Sequence, residues 1–202
     1  MTMRVGILAL QGAVAPHAAK LAALGAEAVT VRTAAELERC AGLIVPGGES
    51  TTMLKLIDGY ALREPLAAYA AGHTVWGVCA GAILMARTVE NPSQFSFGWL
   101  PITVRRNAYG RQNESFIAPL SLRLPGQAPG EQEGVFIRAP QVVAWDPEVE
   151  VLAEYQGLPV ALQAGHHLAT TFHPELSPPD ALHRHFLALC GAAPALVAAQ
   201  RA

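Results

Sequence analysis

The chain has 202 residues, 51% of them hydrophobic, 15% charged and 6% aromatic, with a formal net charge of -2. A chain of this length buries about 70% of its unfolded surface without metals or disulfides, so a single domain over residues 1–202 is expected. The composition excludes a disordered chain, and the lack of a basic excess argues against nucleic acid as the main partner. Three cysteines, Cys40, Cys79 and Cys190, are too few for a disulfide framework or a four-cysteine zinc site. Reduced thiols in a cytoplasm fit them better.

Residues 4–10 form a short, continuous apolar run, the pattern of a strand buried on both faces. One basic residue, Arg4, precedes the run and Gln11-Gly12 interrupts it, so it reads as a first strand and not as a secretory signal. No other stretch is long and apolar enough to span a bilayer. A helix is predicted over residues 17–24, stopped by Gly25. Strands over 28–31 and Gly42–Val45 bracket a helix over 34–39. Pro46-Gly-Gly48 ends the second of these strands, and residues 51–57 and 62–71 read as helices. Thr74–Val78 is another buried strand, followed at once by Cys79-Ala-Gly81 and a short apolar helix to Met85. Strands alternating with helices predict an α/β fold: a three-layer sandwich on a mixed, mostly parallel central sheet.

The second half changes texture. Residues 102–105, 115–118, 135–137, 142–145, 149–155, 160–163 and 167–172 are short, β-rich and separated by turns. Tight turns at Gln156-Gly157 and Ala164-Gly165 predict antiparallel strands there. Residues 125–134 read as a Gly/Pro-rich loop, and a helix over 180–189 closes the fold ahead of a frayed, Ala-rich tail to Ala202.

The sharpest chemical signal is Gly77-Val-Cys-Ala-Gly81, between a predicted strand and a predicted helix. This is the cysteine form of the nucleophile elbow, a turn so tight that its neighbours must be small. It presents the side chain at a helix start, where free N–H groups favour a thiolate. A nucleophilic thiol needs a base, and His173 in Thr170-Thr-Phe-His-Pro-Glu175 follows the last apolar strand. It therefore lies at a carboxyl end of the sheet, where open α/β folds place their sites. Glu175 is close enough in sequence to reach the other ring nitrogen and fix the tautomer. Pro46-Gly-Gly-Glu-Ser50 adds a loop whose N–H groups are unobstructed. Gly48 and Ala80 are then the candidate oxyanion donors. No phosphate-loop lysine follows Gly48, and His166, His167, His183 and His185 lack zinc-site spacing. Arg105, Tyr109 and Arg111 are too isolated for a nucleic-acid patch.

Leu8-Ala-Leu-Gln-Gly12, Pro46-Gly-Gly-Glu-Ser-Thr-Thr52, the elbow, Arg106-Asn-Ala-Tyr-Gly-Arg-Gln112, Gly134-Val-Phe-Ile-Arg-Ala-Pro140 and Phe172-His-Pro-Glu175 occur in that order. Together they resemble the glutaminase subunits of pyridoxal 5'-phosphate synthase, a family of class I (triad) glutamine amidotransferases. The elbow and His-Pro-Glu are common to all triad glutaminases, whereas the two longer stretches point to this family. The resemblance implies a flavodoxin-like fold and hydrolysis of L-glutamine to glutamate and ammonia. Cys79 would be the nucleophile, His173 the acid and base, and Glu175 the orienting carboxylate. Gly47, Gly48, Glu49, Arg106, Ile137 and Arg138 would line the glutamine site, with no metal or organic cofactor. It also implies a partner, a (β/α)8-barrel synthase subunit that receives the ammonia, in an assembly of twelve copies of each. In such an assembly docking would switch the glutaminase on, and the Gly47-Gly48 peptide, cheap to flip, is the expected switch. Two alternatives stand beside this: a triad glutaminase of another pathway, such as histidine biosynthesis, and a non-catalytic regulator using Cys79 as a redox-sensing thiol.

Overall fold

Four strands from the first half of the chain run parallel at the centre of the computed structural model, which describes residues 2–106, 108 and 115–200. They are β1 (Arg4–Leu8), β2 (Glu27–Val31), β3 (Gly42–Val45) and β4 (Thr74–Val78). Three strands from the end of the chain, β10 (Glu150–Tyr155), β11 (Leu158–Ala164) and β12 (His167–Thr170), extend the same sheet. The order across it is β10-β11-β12-β4-β3-β1-β2, with β12 parallel to β4 and β11 antiparallel to both β10 and β12.

Between the central strands lie α1 (Val14–Ala23), α2 (Ala34–Leu37), α3 (Ser50–Gly59) and α4 (Arg63–Ala70), and α5 (Ala80–Met85) follows β4. The helix α6 (Ala181–Gln200) closes the chain. Successive residues of a strand face opposite ways, and the sheet uses both faces. Val5, Ile7, Ile44, Trp76 and Val78 pack with Leu21 of α1 and Leu182 and Phe186 of α6. Leu8, Leu43, Val45 and Val75 pack with Met53, Ile57, Leu66 and Leu84 of α3, α4 and α5. A sheet with an apolar core on each side is the predicted three-layer sandwich.

Two smaller sheets flank it: β5 (Ala86–Glu90), β6 (Leu100–Arg105) and β9 (Gln141–Trp145) in the order β5-β6-β9, and the pair β7 (Ser115–Leu122) and β8 (Gly130–Ile137). Beyond shifts of element ends, four departures from the sequence reading have a plain physical reason. β5 was not expected, because Arg87 and Thr88 are exposed and break any apolar alternation; pairing with β6 creates the strand. The loop expected over 125–134 is shorter, since antiparallel pairing of Leu122 with Gly130 through Ala118 with Gly134 carries β8 back to Gly130. α1 begins ahead of Pro16, which sits in the first turn where a missing N–H is harmless. α6 continues to Gln200 instead of ending at residue 189, through a stretch dominated by alanine, the strongest helix former. Arg201 and Ala202 lie outside the described residues, as do Tyr109 and Arg111.

The hairpin between β10 and β11 turns on Gln156 and Gly157, both at positive φ (51° and 77°), as a two-residue turn matching strand twist requires. Because β11 returns antiparallel to β12, the chain leaves β12 at the same edge of the sheet as it leaves β4. That edge holds the site. No helix among the described residues is long and apolar enough to cross a membrane.

Candidate active site

All five residues of β4 are buried, and the chain turns sharply into α5 at Cys79, whose backbone sits at φ 50°, ψ -101°. A side chain with a Cβ rarely adopts positive φ, and such strain persists only where the surroundings enforce it. Here the Cys79 N–H donates to the Thr170 carbonyl (2.8 Å) and the Ile83 N–H donates to the Cys79 carbonyl (3.2 Å). The flanking glycines let backbone pass backbone. A Cβ on Gly77 would lie 2.5 Å from the Gly81 carbonyl carbon, and one on Gly81 only 2.0 Å from the Val45 oxygen. The predicted elbow is therefore present, and its small residues are explained by contact.

Thr170 of β12 pairs with Val78 of β4, so the chain beyond β12 emerges next to the elbow. Further on, the His173 N–H donates to the Val135 carbonyl (2.8 Å), which ties this segment to β8. Pro174–Leu176 form a single 3-10 turn that folds Glu175 back, placing its Oε1 2.7 Å from His173 Nδ1. With Nδ1 engaged by Glu175, Nε2 is the nitrogen left for Cys79. Burial disfavours the His173 imidazolium, but the bonds and charges of Cys79 and Glu175 outweigh it and push the pKa up to about 10. Burial likewise opposes the Glu175 carboxylate, yet the His173 bond and the two histidines beside it, His17 and His173, hold it below the usual range.

The loop after β3 closes the site. A Cβ on Gly47 would stand 2.3 Å from His173 Cε1, so a glycine there lets the loop lie against the imidazole. The Gly47 carbonyl accepts from the Ala13 N–H (3.2 Å), and the Glu49 N–H donates to Gln11 Oε1 (2.8 Å). Glu49 caps α3: its Oε2 accepts from the N–H groups of Thr51 (3.1 Å) and Thr52 (3.2 Å) and from the Thr51 hydroxyl. Its Oε1 lies 3.2 Å from Arg106 Nη2. The other terminal nitrogen of Arg106, Nη1, is buried and has no hydrogen-bond partner among the described residues.

These elements enclose a cavity of about 330 Å³ lined by Gly47, Gly48, Glu49, Cys79, Ala80, Arg106, Ile137, Arg138 and His173, among others. That is the small end of ligand-site volumes and suits a small polar molecule. Every expected site residue thus lines one cavity except Glu175, which stands behind His173. Ile137 and Arg138 arrive from the end of β8; the Ile137 carbonyl is 3.8 Å from Cys79 Sγ, and Arg138 has φ 45°. Beyond Arg106, the stretch expected to run to Gln112 lies outside the described residues, Ala108 excepted. The sequence reading missed Gln11, which anchors the glycine loop. Its signal was the polar residue interrupting an apolar strand end.

Behind Glu175, His17 and His183 are fully buried, and His167 is largely buried under the sheet edge. Burial lowers the pKa values of His17, His183 and His167 to about 4, 3 and 4, respectively. Each is neutral in the fold but takes up a proton below about pH 6.5 once unfolded. Stability is therefore lost as pH falls from about 6.5 towards 4, by about 1.4 kcal/mol per pH unit for each such histidine. The depressed Glu175 acts in the same direction at lower pH. Urea midpoints should drop steeply between pH 7 and 5; an unchanged midpoint would refute the assignment of neutral histidines.

An elbow cysteine beside a buried His–Glu pair, at the carboxyl edge of a doubly wound sheet, has the arrangement of a nucleophilic thiol site of the triad class. The family model of the SNO glutamine amidotransferases matches residues 7–191, and the chain belongs to that family. It is 49% identical over 187 residues to the pyridoxal 5'-phosphate synthase subunit PdxT of Solibacter usitatus, covering 91% of this chain and 97% of that one. The PdxT of Geobacillus thermodenitrificans is 48% identical over 186 residues, with 92% and 94% covered. A crystal structure of a glutamine amidotransferase superposes with a TM-score of 0.85 at 44% identity, over 93% of this chain and 98% of the other. A putative GMP synthase component from Thermoplasma acidophilum shares the fold alone, with a TM-score of 0.69 at 16% identity over 95% and 96% of the chains. The architecture is that of class I glutamine amidotransferases, of flavodoxin-like type.

Proposed function

We propose that this chain is the glutaminase subunit of a pyridoxal 5'-phosphate synthase, releasing ammonia from L-glutamine for a synthase subunit to use. The observation that carries the reading is the convergence of Cys79 and the His173–Glu175 pair on one cavity that also holds an unpartnered Arg106 nitrogen. Arg106 Nη1 receives the substrate's α-carboxylate, and Glu49 Oε1 is the acceptor for its α-ammonium. Cys79 thiolate attacks the side-chain amide carbon. N–H groups of Gly48 and Ala80 take up the oxyanion, each donor contributing about 2.7–4 kcal/mol to the barrier reduction. The His173 imidazolium gives its proton to the departing nitrogen, and ammonia leaves. His173, now neutral, takes a proton from water as it attacks the glutamyl thioester, and glutamate is released with Cys79 restored.

Residues 1–202 act as one domain in this reading, in the cytoplasm, where the three free cysteines stay reduced. The receiving subunit is a (β/α)8 barrel, in an assembly of twelve copies of each chain, with no nucleic-acid or membrane partner. Docking turns the Gly47-Gly48 peptide so that its N–H meets the oxyanion, at the expense of the Ala13–Gly47 hydrogen bond. Glutamate release should rise at least tenfold when the synthase subunit is added, and vanish in Cys79→Ala. Equal activity with and without the partner would remove the docking switch, and activity surviving in Cys79→Ala would remove the triad.

A further inference from the structure

A second pair of imidazoles stands behind the triad, unused by the chemistry above. His17 of α1 and His183 of α6 are both 0% exposed, with His17 Nδ1 3.1 Å from His183 Nε2. The opposite nitrogen of His17, Nε2, lies 3.6 Å from Glu175 Oε2. Trp76 stands edge-on to both rings, with centroids 5.8 Å from His17 and 4.8 Å from His183. Glu175 Oε1 is engaged by His173, whereas Oε2 is buried without a hydrogen-bond partner among the described residues, and the same holds for His17 Nε2. Two buried polar atoms that lack partners and face each other form a contact only slightly longer than a hydrogen bond, and catalytic contacts commonly tighten when substrate binds. Among the described residues no group of three or more His, Cys, Asp or Glu is placed to hold a metal ion.

Burial keeps His17 neutral, so its ring carries one N–H. Were that proton on Nδ1, the Nε2 lone pair would face the carboxylate, like against like. With His183 Nε2–H donating to His17 Nδ1, the His17 proton sits on Nε2 and points at Glu175. The row then runs one way, His183 donating to His17 and His17 facing Oε2 of Glu175, while His173 engages Oε1 from the other side. We propose that His17 is a positioning residue of the triad: its Nε2–H holds the second oxygen of Glu175, and His183 sets the tautomer that allows it. Held from both sides, Glu175 keeps Oε1 aimed at His173. This rests on the triad reading above.

Two measurements test it. Nitrogen-15 NMR of the full chain with labelled histidines should show His17 as the neutral Nε2–H tautomer near pH 7; a Nδ1–H tautomer or an imidazolium overturns the proposal. In the complex with the synthase subunit, His17→Leu should lower kcat for glutamine hydrolysis about 10–100-fold, as for groups that orient a metal-bound histidine, with KM within about twofold. His17→Gln, whose amide N–H reaches the Nε2 position, should recover most of the loss. Full activity in His17→Leu, or equal losses in both variants, overturns it. Activity retained in Cys79→Ala would instead bring down the triad reading itself. If neither His17 variant folds, the tautomer in the unaltered chain decides alone.

Discussion

Glu175→Gln is expected to lower glutamine turnover about 10⁴-fold while leaving the chain folded, as loss of the charged triad member does in other triads. The carboxylate is fully buried and takes His173 Nδ1 at 2.7 Å, with His17 on its far side. An amide cannot serve both neighbours. Turned with its NH2 towards His173, it forces the ring proton onto Nε2, and the base can no longer accept from Cys79. Turned the other way, it sets NH2 against the His17 Nε2–H. In neither orientation does a neutral amide stabilise the imidazolium that protonates the leaving nitrogen. Single-turnover acylation of Cys79 is the measurement, with KM as the internal check. A loss under tenfold would mean that Glu175 is a structural carboxylate and not a member of the triad.

The second large effect concerns the fold. Gly81→Ala should cost about 4–5 kcal/mol, in the exceptional tail of single substitutions, because its Cβ would lie 2.0 Å from the Val45 carbonyl oxygen and 2.9 Å from the carbonyl carbon. Both are backbone atoms at the end of a central strand, so neither can rotate aside. A domain's whole margin is about 5–15 kcal/mol, so the variant should be recovered poorly or melt far below the parent. Gly59→Ala, with nothing within 4 Å of the added carbon, is the matched control. Gly59 ends α3, and alanine there should be neutral or stabilising by up to about 1 kcal/mol. Urea denaturation of both variants separates contact from composition. Similar losses in the two would contradict the packing argument.

Features that carry a local signal were legible in the residues. Gly42–Val45 and Thr74–Val78 emerge at their predicted bounds because strands covered on both faces are almost wholly apolar, and Pro46-Gly-Gly48 and the Cys79 elbow stop them. The elbow was legible because sterics leave few residue types that fit it, and His-Pro-Glu because a 3-10 turn needs those residues side by side. What stayed hidden depends on partners distant in sequence. β5 exists through pairing with β6, and nothing in Ala-Arg-Thr-Val-Glu announces it. His17 looks like any polar residue near a helix start until α6 places His183 against it, 166 residues away. Glu49 was expected to line the glutamine site; the structure also commits it to capping α3, a duty visible only once the helix starts at Ser50.

The proposed nucleophile and base, Cys79 and His173, follow neighbouring strands joined at three paired positions, Leu168 with Trp76, Ala169 with Gly77 and Thr170 with Val78. A slip of one residue along that seam would turn every side chain of β12 to the opposite face and carry the base away from the thiol. Fraying at its open end would part them while leaving most of the helix and strand content intact. An assay of this chain thus gauges the closure of one short seam, and a preparation that has lost all turnover can still look native to a spectrometer.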